Sequence, residues 1–105
     1  MPRFLVYAPD YPNYLEKRLA VRPEHLERGA KDDFVLYAGP IVPKEGTPAR
    51  TLPSHLPADT PNIAGSFSVW QMDSLEKVWE RIKEDVYWRA GVWDKEKIVV
   101  EELLG

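Results

Sequence analysis

The stretch Phe67–Asp85, FSVWQMDSLEKVWERIKED, contains the change of hydrophobic periodicity that decides the fold. Its first residues continue a strand-like run over Asn62–Met72, after which Asp73 offers an N-cap with Glu76 three residues on, as in a capping box. The apolar residues that follow recur at i, i+3, i+4 and i+7 and form one stripe, made of Leu75, Val78, Trp79 and Ile82. The stretch therefore predicts a strand followed by a helix that packs on a sheet.

Signals on both sides of this stretch complete the pattern of elements. Short apolar runs predict three further strands, over Phe4–Ala8, Phe34–Ala38 and Ile98–Leu104. Proline is tolerated at the first helical position and biases the preceding residue away from helical geometry, so the first helix is predicted from about Pro23 to Lys31. The order β-α-β-β-α-β predicts an α+β protein with a ferredoxin-like antiparallel sheet that carries both helices on one face.

A long proline-rich loop is predicted at about residues 40–61, inside what the length indicates is a single domain of residues 1–105. The loop contains most of the ten prolines and shows no periodic pattern. Such a connection either flexes or lies over a pocket, and the sequence does not distinguish the two. His55, in LPSHLPAD, is accordingly either an exposed loop residue or a lid residue that reaches a ligand.

The predicted strands are apolar on both faces rather than on one. Phe4 and Val6 oppose Leu5 and Tyr7 in the first strand, and the second and third strands show the same pattern. Two helices cover only one face of a sheet, and a bare apolar sheet face is larger than a soluble monomer normally exposes. We therefore expect a homodimer, in which two sheets related by a two-fold axis pack face to face as a barrel-like dimer.

The composition excludes several classes of function. A formal net charge of −3 without any run of Lys or Arg argues against nucleic acid as a partner. The absence of cysteine removes disulfides and thiolate chemistry, and no clustered metal ligands or glycine-rich phosphate loop are present, so no metal or cofactor is expected. The apolar stretch at the N-terminus is too short for a signal peptide, so we expect a cytoplasmic protein without membrane attachment.

His25 and Arg22 flank the proline that opens the predicted first helix. In the first helical turn an imidazole lies near the positive end of the helix dipole, which favours its neutral form unless a neighbouring carboxylate stabilises the charged form. Without such a partner, His25 is simply a helix-start residue bonded to the neighbouring loop. Arg22 pairs with Glu24 or Asp10 on the surface, which is the reading we favour, or it binds a substrate carboxylate or phenolate.

Two segments resemble the YCII-related domain (YciI-like) family of the dimeric α+β barrel group, and the likeness extends over nearly the whole chain. The segments are LEKRLAVRPEHLER at residues 15–28 and DVYWRAGVWD at residues 85–94. Family members carry a histidine in an Arg-Pro-x-His motif and an aspartate in an Asp-Pro-Tyr motif, which match His25 and Asp85. The resemblance implies that these two form a His/Asp site. Val86 departs from the motif's proline, and the predicted first helix is shorter than the family's.

The resemblance implies a cofactor-independent enzyme of the lyase, isomerase or dehydratase type that acts on a small, aromatic or polyketide-like molecule. His25 would be the general acid or base and Asp85 its orienting partner. The candidate substrate contacts are Arg22, Tyr7, Tyr87, Gly39 and His55. A non-catalytic ligand-binding or protein-assembly module of the same fold is the alternative, and a ligand sensor with the long loop as switch is a third reading.

Several of these residues also have purely structural readings. Tyr7 and Tyr87 are otherwise core or dimer-face packing residues, and Asp85 is otherwise the turn residue at the end of a helix. The pair Asp32-Asp33 indicates a solvated helix end rather than a cation site.

Overall fold

A computed structural model describes residues 1–105 and contains four strands and three α-helices. In chain order these are β1 Arg3–Pro9, α1 Leu15–Gly29, β2 Val35–Ile41, β3 Gly65–Gln71, α2 Leu75–Glu84, α3 Val86–Arg89 and β4 Val99–Leu103. The strands form one antiparallel sheet in the order β2-β3-β1-β4. The predicted ferredoxin-like α+β fold is thereby confirmed, with the short helix α3 added directly after α2. No helix combines the length and the apolar content needed to cross a membrane.

The core lies between one face of the sheet and the α2–α3 region. Strand β1 alternates as a half-buried strand does, because Phe4, Val6 and Ala8 are buried while Tyr7 between them is 38% exposed. Val78 and Ile82 of the apolar stripe predicted for α2 supply facing side chains, and Trp79 packs against the core. Leu75 is 49% exposed, so its assignment to the sheet-facing stripe is wrong. The other buried members of the core are Trp70, Val78, Ile82, Val86, Tyr87, Val92 and Trp93.

Helix α2 begins one residue later than the sequence indicates. Ser74, not Asp73, is the N-cap, and its hydroxyl accepts a hydrogen bond of 3.2 Å from the backbone N–H of Lys77. A capping box needs a carboxylate or amide three residues after the cap, and that position is Lys77 rather than Glu76. The helix therefore has a single side-chain cap without the reciprocal bond.

The predicted start of the first helix at Pro23 is wrong. Helix α1 begins at Leu15 and carries Pro23 in its interior. An interior proline costs a helix about 3 kcal/mol, so tertiary contacts must hold the turns that precede it. Arg18 provides them, since its buried guanidinium bonds to Asp10 and Ser66. His25 consequently lies well inside the helix, away from the unpaired N–H groups of the first turn, and the first helix is not shortened.

The proline-rich segment after β2 packs against the β1–α1 connection. It contains a 3₁₀ turn at Pro48–Arg50 and lines, together with residues Asp10–Leu15, a cavity of about 410 Å³. His55 contacts Glu16 at the start of α1 and is 64% exposed. The loop thus covers a different cavity from the one described below, which none of the residues between β2 and β3 lines.

The face of the sheet opposite the helices carries exposed apolar side chains, as the strand pattern predicts, together with Arg3, Gln71 and Glu101. Tyr37 is 59% exposed, Val99 41% and Tyr7 38%. Tyr37 lies 6.1 Å from Phe67 between ring centroids, which makes a connected aromatic surface across β2 and β3. The register sets this face through the pairs Leu5↔Val69, Tyr7↔Phe67, Tyr37↔Val69 and Tyr7↔Val99.

Candidate active site

A cavity of about 320 Å³ lies between α1 and the helix-facing side of the sheet. Arg18, Arg22 and His25 all line it from α1. Their spacing of four and then three residues places them on one helix face, because an α-helix repeats every 3.6 residues. This polar row depends on the helix starting at Leu15, so a helix predicted from Pro23 could not reveal it.

His25 and Asp85, sixty residues apart in sequence, are in direct contact at the wall of this cavity. The imidazole Nδ1 lies 2.9 Å from both carboxylate oxygens. The His25 side chain is 26% exposed and that of Asp85 only 2%. An ionised carboxylate can only accept hydrogen bonds, so we assign the ring hydrogen to Nδ1, which leaves the Nε2 lone pair free. The pair has the geometry in which a carboxylate fixes the tautomer of a histidine.

Asp85 stands at the junction of two helices. It follows the last residue of α2 and caps α3, where its Oδ1 accepts from the backbone N–H of Tyr87 at 2.9 Å. A carboxylate at the C-terminal end of α2 is unfavourable because the helix dipole is negative there. The same carboxylate is favourable at the N-terminal end of α3, where it accepts a backbone N–H, and this offsets the cost. Val86 occupies the first helical position of α3, where proline is tolerated but not required, so the departure from the motif leaves the turn intact.

Arg81 joins the Asp85 carboxylate to a second buried acid. Its Nη1 lies 3.1 Å from Asp85 Oδ2, and its Nη2 lies 2.7 Å from Asp32 Oδ2. The Asp32 side chain is 4% exposed and also contacts Arg28, so the prediction of a solvated helix end is wrong for this residue. Sequence analysis missed Arg81, although its i,i+4 spacing from Asp85 on a predicted helix is a usable signal.

The surroundings of Asp85 keep it ionised. Burial raises the pKa of the carboxyl, but the hydrogen bond and charge of His25, the Tyr87 N–H and the Arg81 charge outweigh burial and lower the pKa below its ordinary value. The cavity wall therefore holds a carboxylate that can stabilise a positive charge on His25.

Tyr87 forms the floor between the polar side chains of α1. Its ring stacks on His25 with centroids 4.1 Å apart at 21°, and the Arg18 guanidinium lies 4.3 Å from the ring centroid. The residue is fully buried, and its hydroxyl has no hydrogen-bond partner. Burial raises the pKa of Tyr87 despite the nearby Arg18 and Arg22 charges, so the hydroxyl stays protonated at neutral pH.

Arg18 is a second cavity residue that sequence analysis missed. Its Nη1 lies 2.7 Å from Asp10 Oδ1, and its Nη2 donates to Ser66 Oγ at 2.8 Å. Burial raises the pKa of Asp10 to about 6, and the Arg18 charge and hydrogen bond offset only part of this effect. The ion pair is thus buried, and it fixes α1 to the sheet.

Arg22 is the cavity-lining cation that has no carboxylate partner within 4.0 Å. The surface pairing predicted for it is wrong, because Asp10 pairs with Arg18 and Glu24 pairs with Arg89 at 2.5 Å. Its guanidinium is available to an anionic ligand.

The remaining candidate residues divide between the cavity and the rest of the surface. Gly39 lines the cavity from β2, as does Tyr87 from α3. Tyr7 does not, because strand alternation turns its side chain to the opposite face of the sheet. His55 does not either, because its loop packs on the start of α1. No three His, Asp or Glu side chains converge in a way that could hold a metal ion.

Comparison with known proteins gives one family and a matching fold. The family model described as the YCII-related domain matches residues 2–102. Aspercryptin biosynthesis cluster protein B of Emericella nidulans is 37% identical over 97 residues, covering 87% of this chain and 55% of that protein. An uncharacterised protein of Haemophilus influenzae is 33% identical over 93 residues, covering 86% of each. The chain thus spans about half the length of the Emericella relative.

A solved structure of similar fold is that of the 5-chloro-2-hydroxyhydroquinone dehydrochlorinase TftG of Burkholderia phenoliruptrix, in complex with 2,5-dihydroxybenzoquinone. It superposes with a TM-score of 0.73 at 23% sequence identity and covers 97% of this chain and 93% of TftG. At this identity the likeness establishes the fold.

Proposed function

This chain belongs to the YCII-related domain family, and on that premise we propose that it is a cofactor-independent enzyme that moves a proton on a small, oxygen-bearing aromatic or polyketide-like molecule. His25 is the general acid or base in this proposal, and Asp85 is its positioning partner. The observation that carries it is the 2.9 Å contact from Nδ1 to both carboxylate oxygens at the cavity wall.

The proposed step begins at the free Nε2 of His25. This nitrogen takes a proton from a substrate hydroxyl or an activated C–H, and the buried Asp85 carboxylate stabilises the imidazolium that forms. In an isomerisation the same proton returns to another atom of the substrate. In an elimination the freed electron pair forms a new double bond, the C–X pair leaves as halide, and the imidazolium then gives its proton to water.

The choice of substrate class rests on the cavity lining and on the relatives. Val6, Ala8 and Trp70 give an apolar wall suited to a ring, while Arg22 offers an unpaired guanidinium suited to a carboxylate or phenolate. TftG is named for dehydrochlorination of a hydroxyhydroquinone, and the Emericella relative for a biosynthesis cluster. Both names favour a small oxygenated molecule over a polymer.

A homodimer is part of the proposal. The exposed surface formed by Tyr7, Tyr37 and Val99 lies on the sheet face opposite the cavity, so a second copy could cover it without blocking access to His25.

The test of the proposed function is turnover of a panel of hydroxylated aromatic compounds that includes 5-chloro-2-hydroxyhydroquinone, with halide release and product absorbance as the measurements. We expect turnover by the wild-type protein and a loss of about 10²–10⁴-fold in His25→Asn. Tyr7→Phe, on the opposite sheet face, is the control and should be unchanged. Ligand binding without turnover, insensitive to His25→Asn, would contradict the enzyme and favour a binding module.

A further inference from the structure

We infer that the Ser66 hydroxyl donates a hydrogen bond to an anionic oxygen of the substrate, and that Arg18 strengthens this donor. The inference deepens the proposed function and rests on it, because it assigns a second contact within the same cavity. Ser66 lies on β3 and lines the cavity from the helix-facing side of the sheet.

The hydrogen-bond count of Ser66 leaves only one role for its hydrogen. A hydroxyl has one hydrogen and two lone pairs. Ser66 Oγ accepts from Arg18 Nη2 at 2.8 Å and from Trp93 Nε1 at 3.3 Å, which occupies both lone pairs. The structure offers no acceptor to the remaining O–H hydrogen, although the residue is half-buried at the cavity wall. A bound molecule can supply that acceptor.

The charge around Ser66 makes this donor a strong one. The Arg18 guanidinium is 3% exposed and bonds directly to the oxygen, so it draws electron density from the O–H bond in a site of low dielectric. Hydrogen bonds to charged oxygens are stronger than those between neutral groups. Asp10 and Ser66 together hold Arg18 in place, so the arrangement needs no rearrangement when the ligand binds.

The position of Ser66 narrows the substrate class. Arg18 and His25 are seven residues apart on α1, which corresponds to about 10 Å along the helix axis, and both contact the Tyr87 ring. The Ser66 hydroxyl, bonded to Arg18, and the imidazole, bonded to Asp85, are therefore two distinct contacts on the cavity wall. A ligand that satisfies both carries oxygen functions at two separated positions, as hydroxyquinones and hydroquinones do.

Ser54 provides a control for Ser66. It lies in the exposed proline-rich loop and does not line the cavity, so its hydroxyl is not a candidate contact for the ligand.

The experiment measures dissociation constants for 2,5-dihydroxybenzoquinone, which is ionised at neutral pH, and for its neutral dimethyl ether. We expect Ser66→Ala to weaken binding of the ionised probe about tenfold or more, since a hydrogen bond to a charged group is lost. The neutral probe should lose threefold or less. Ser66→Thr, which retains the hydroxyl, should recover most of the affinity, and Ser54→Ala should stay within about twofold of wild type.

Each other result overturns a defined part of the account. Equal affinities of Ser66→Ala and Ser54→Ala would overturn the role of Ser66 and leave the proposed function standing. If Ser66→Ala weakened binding of both probes equally, the loss would reflect a general disturbance around Arg18 rather than a lost donor to an anion. That result would also overturn the role of Ser66. Failure of the wild-type protein to bind either probe would contradict the ligand class of the proposed function, and with it this inference.

Discussion

Arg81 and Asp85 form a buried ion pair, with 3.1 Å between Arg81 Nη1 and Asp85 Oδ2, the oxygen that also contacts His25. The same guanidinium reaches Asp32 at 2.7 Å, so one buried cation balances two buried acids behind the imidazole. All three side chains are at most 5% exposed.

Removing this cation should destabilise the protein strongly. Arg81→Met leaves Asp32 and Asp85 without their shared partner, and breaking a buried ion pair in this way costs about 3–5 kcal/mol of the free energy of unfolding. Urea unfolding measures the loss. Arg28→Met is the matched control, because Arg28 also contacts Asp32 but is 39% exposed, and it should cost about 1 kcal/mol or less. Equal losses in the two variants would contradict this arrangement.

Arg22 should contribute to ligand affinity and not to stability. Arg22→Gln removes a cavity cation that has no protein partner, so we expect about tenfold weaker binding of 2,5-dihydroxybenzoquinone and an unchanged melting temperature. Arg89→Gln removes a cation from an exposed surface pair with Glu24 and should leave binding unchanged. The expectation fails if the two variants bind the probe equally well.

Asp10 should make stability depend on pH in a defined window. Its folded-state pKa of about 6 exceeds that of the unfolded chain, so its contribution to stability is fully present below about pH 4 and is lost as pH rises to about 6. The free energy of unfolding of wild type relative to Asp10→Asn should thus fall by about 2–3 kcal/mol across this window. The lowered pKa of Asp85 acts in the opposite direction and at lower pH.

Urea unfolding of both proteins at several pH values between about 4 and 7 provides the comparison. Asp59→Asn, in the exposed part of the proline-rich loop, is the control and should run parallel to wild type. A difference between wild type and Asp10→Asn that does not change with pH would refute the assignment.

The exposed face of the sheet should mediate self-association. Tyr37→Glu places a charge on a residue that is 59% exposed in the single chain, so we expect the dimer to dissociate into monomers in size-exclusion chromatography with light scattering. Leu75→Glu, at a 49% exposed position of α2, should leave the dimer intact. A wild-type protein that is monomeric at micromolar concentration would rule out the proposed interface.

The strand and helix order was predictable because hydrophobic periodicity changes sharply at Ser74 and because the strands are short apolar runs. The start of α1 was not predictable. Pro23 locally favours a helix that begins there, but the buried ion pair of Arg18 with Asp10, outside the helix, overrides this preference. That error hid Arg18 from sequence analysis.

The contact between His25 and Asp85 could be expected from the family resemblance but not from spacing, because sixty residues separate them and the fold alone joins them. Asp32 was misread for a related reason. Its sequence neighbourhood is that of a helix end, and only tertiary structure brings Arg81 to it. Ser66 carries no sequence signal, since its role follows from two hydrogen bonds to distant side chains.

The central claim is that His25 and Asp85 act as one proton-transferring unit, and a double-mutant cycle in kcat tests it most directly. His25→Ala, Asp85→Asn and the double variant are compared on the panel substrate that wild type turns over fastest, after binding of 2,5-dihydroxybenzoquinone has verified each fold. Because the two residues act together, the double variant should be no slower than His25→Ala alone, with both about 10²–10⁴-fold below wild type. Additive losses, or single variants within threefold of wild type, would contradict the account.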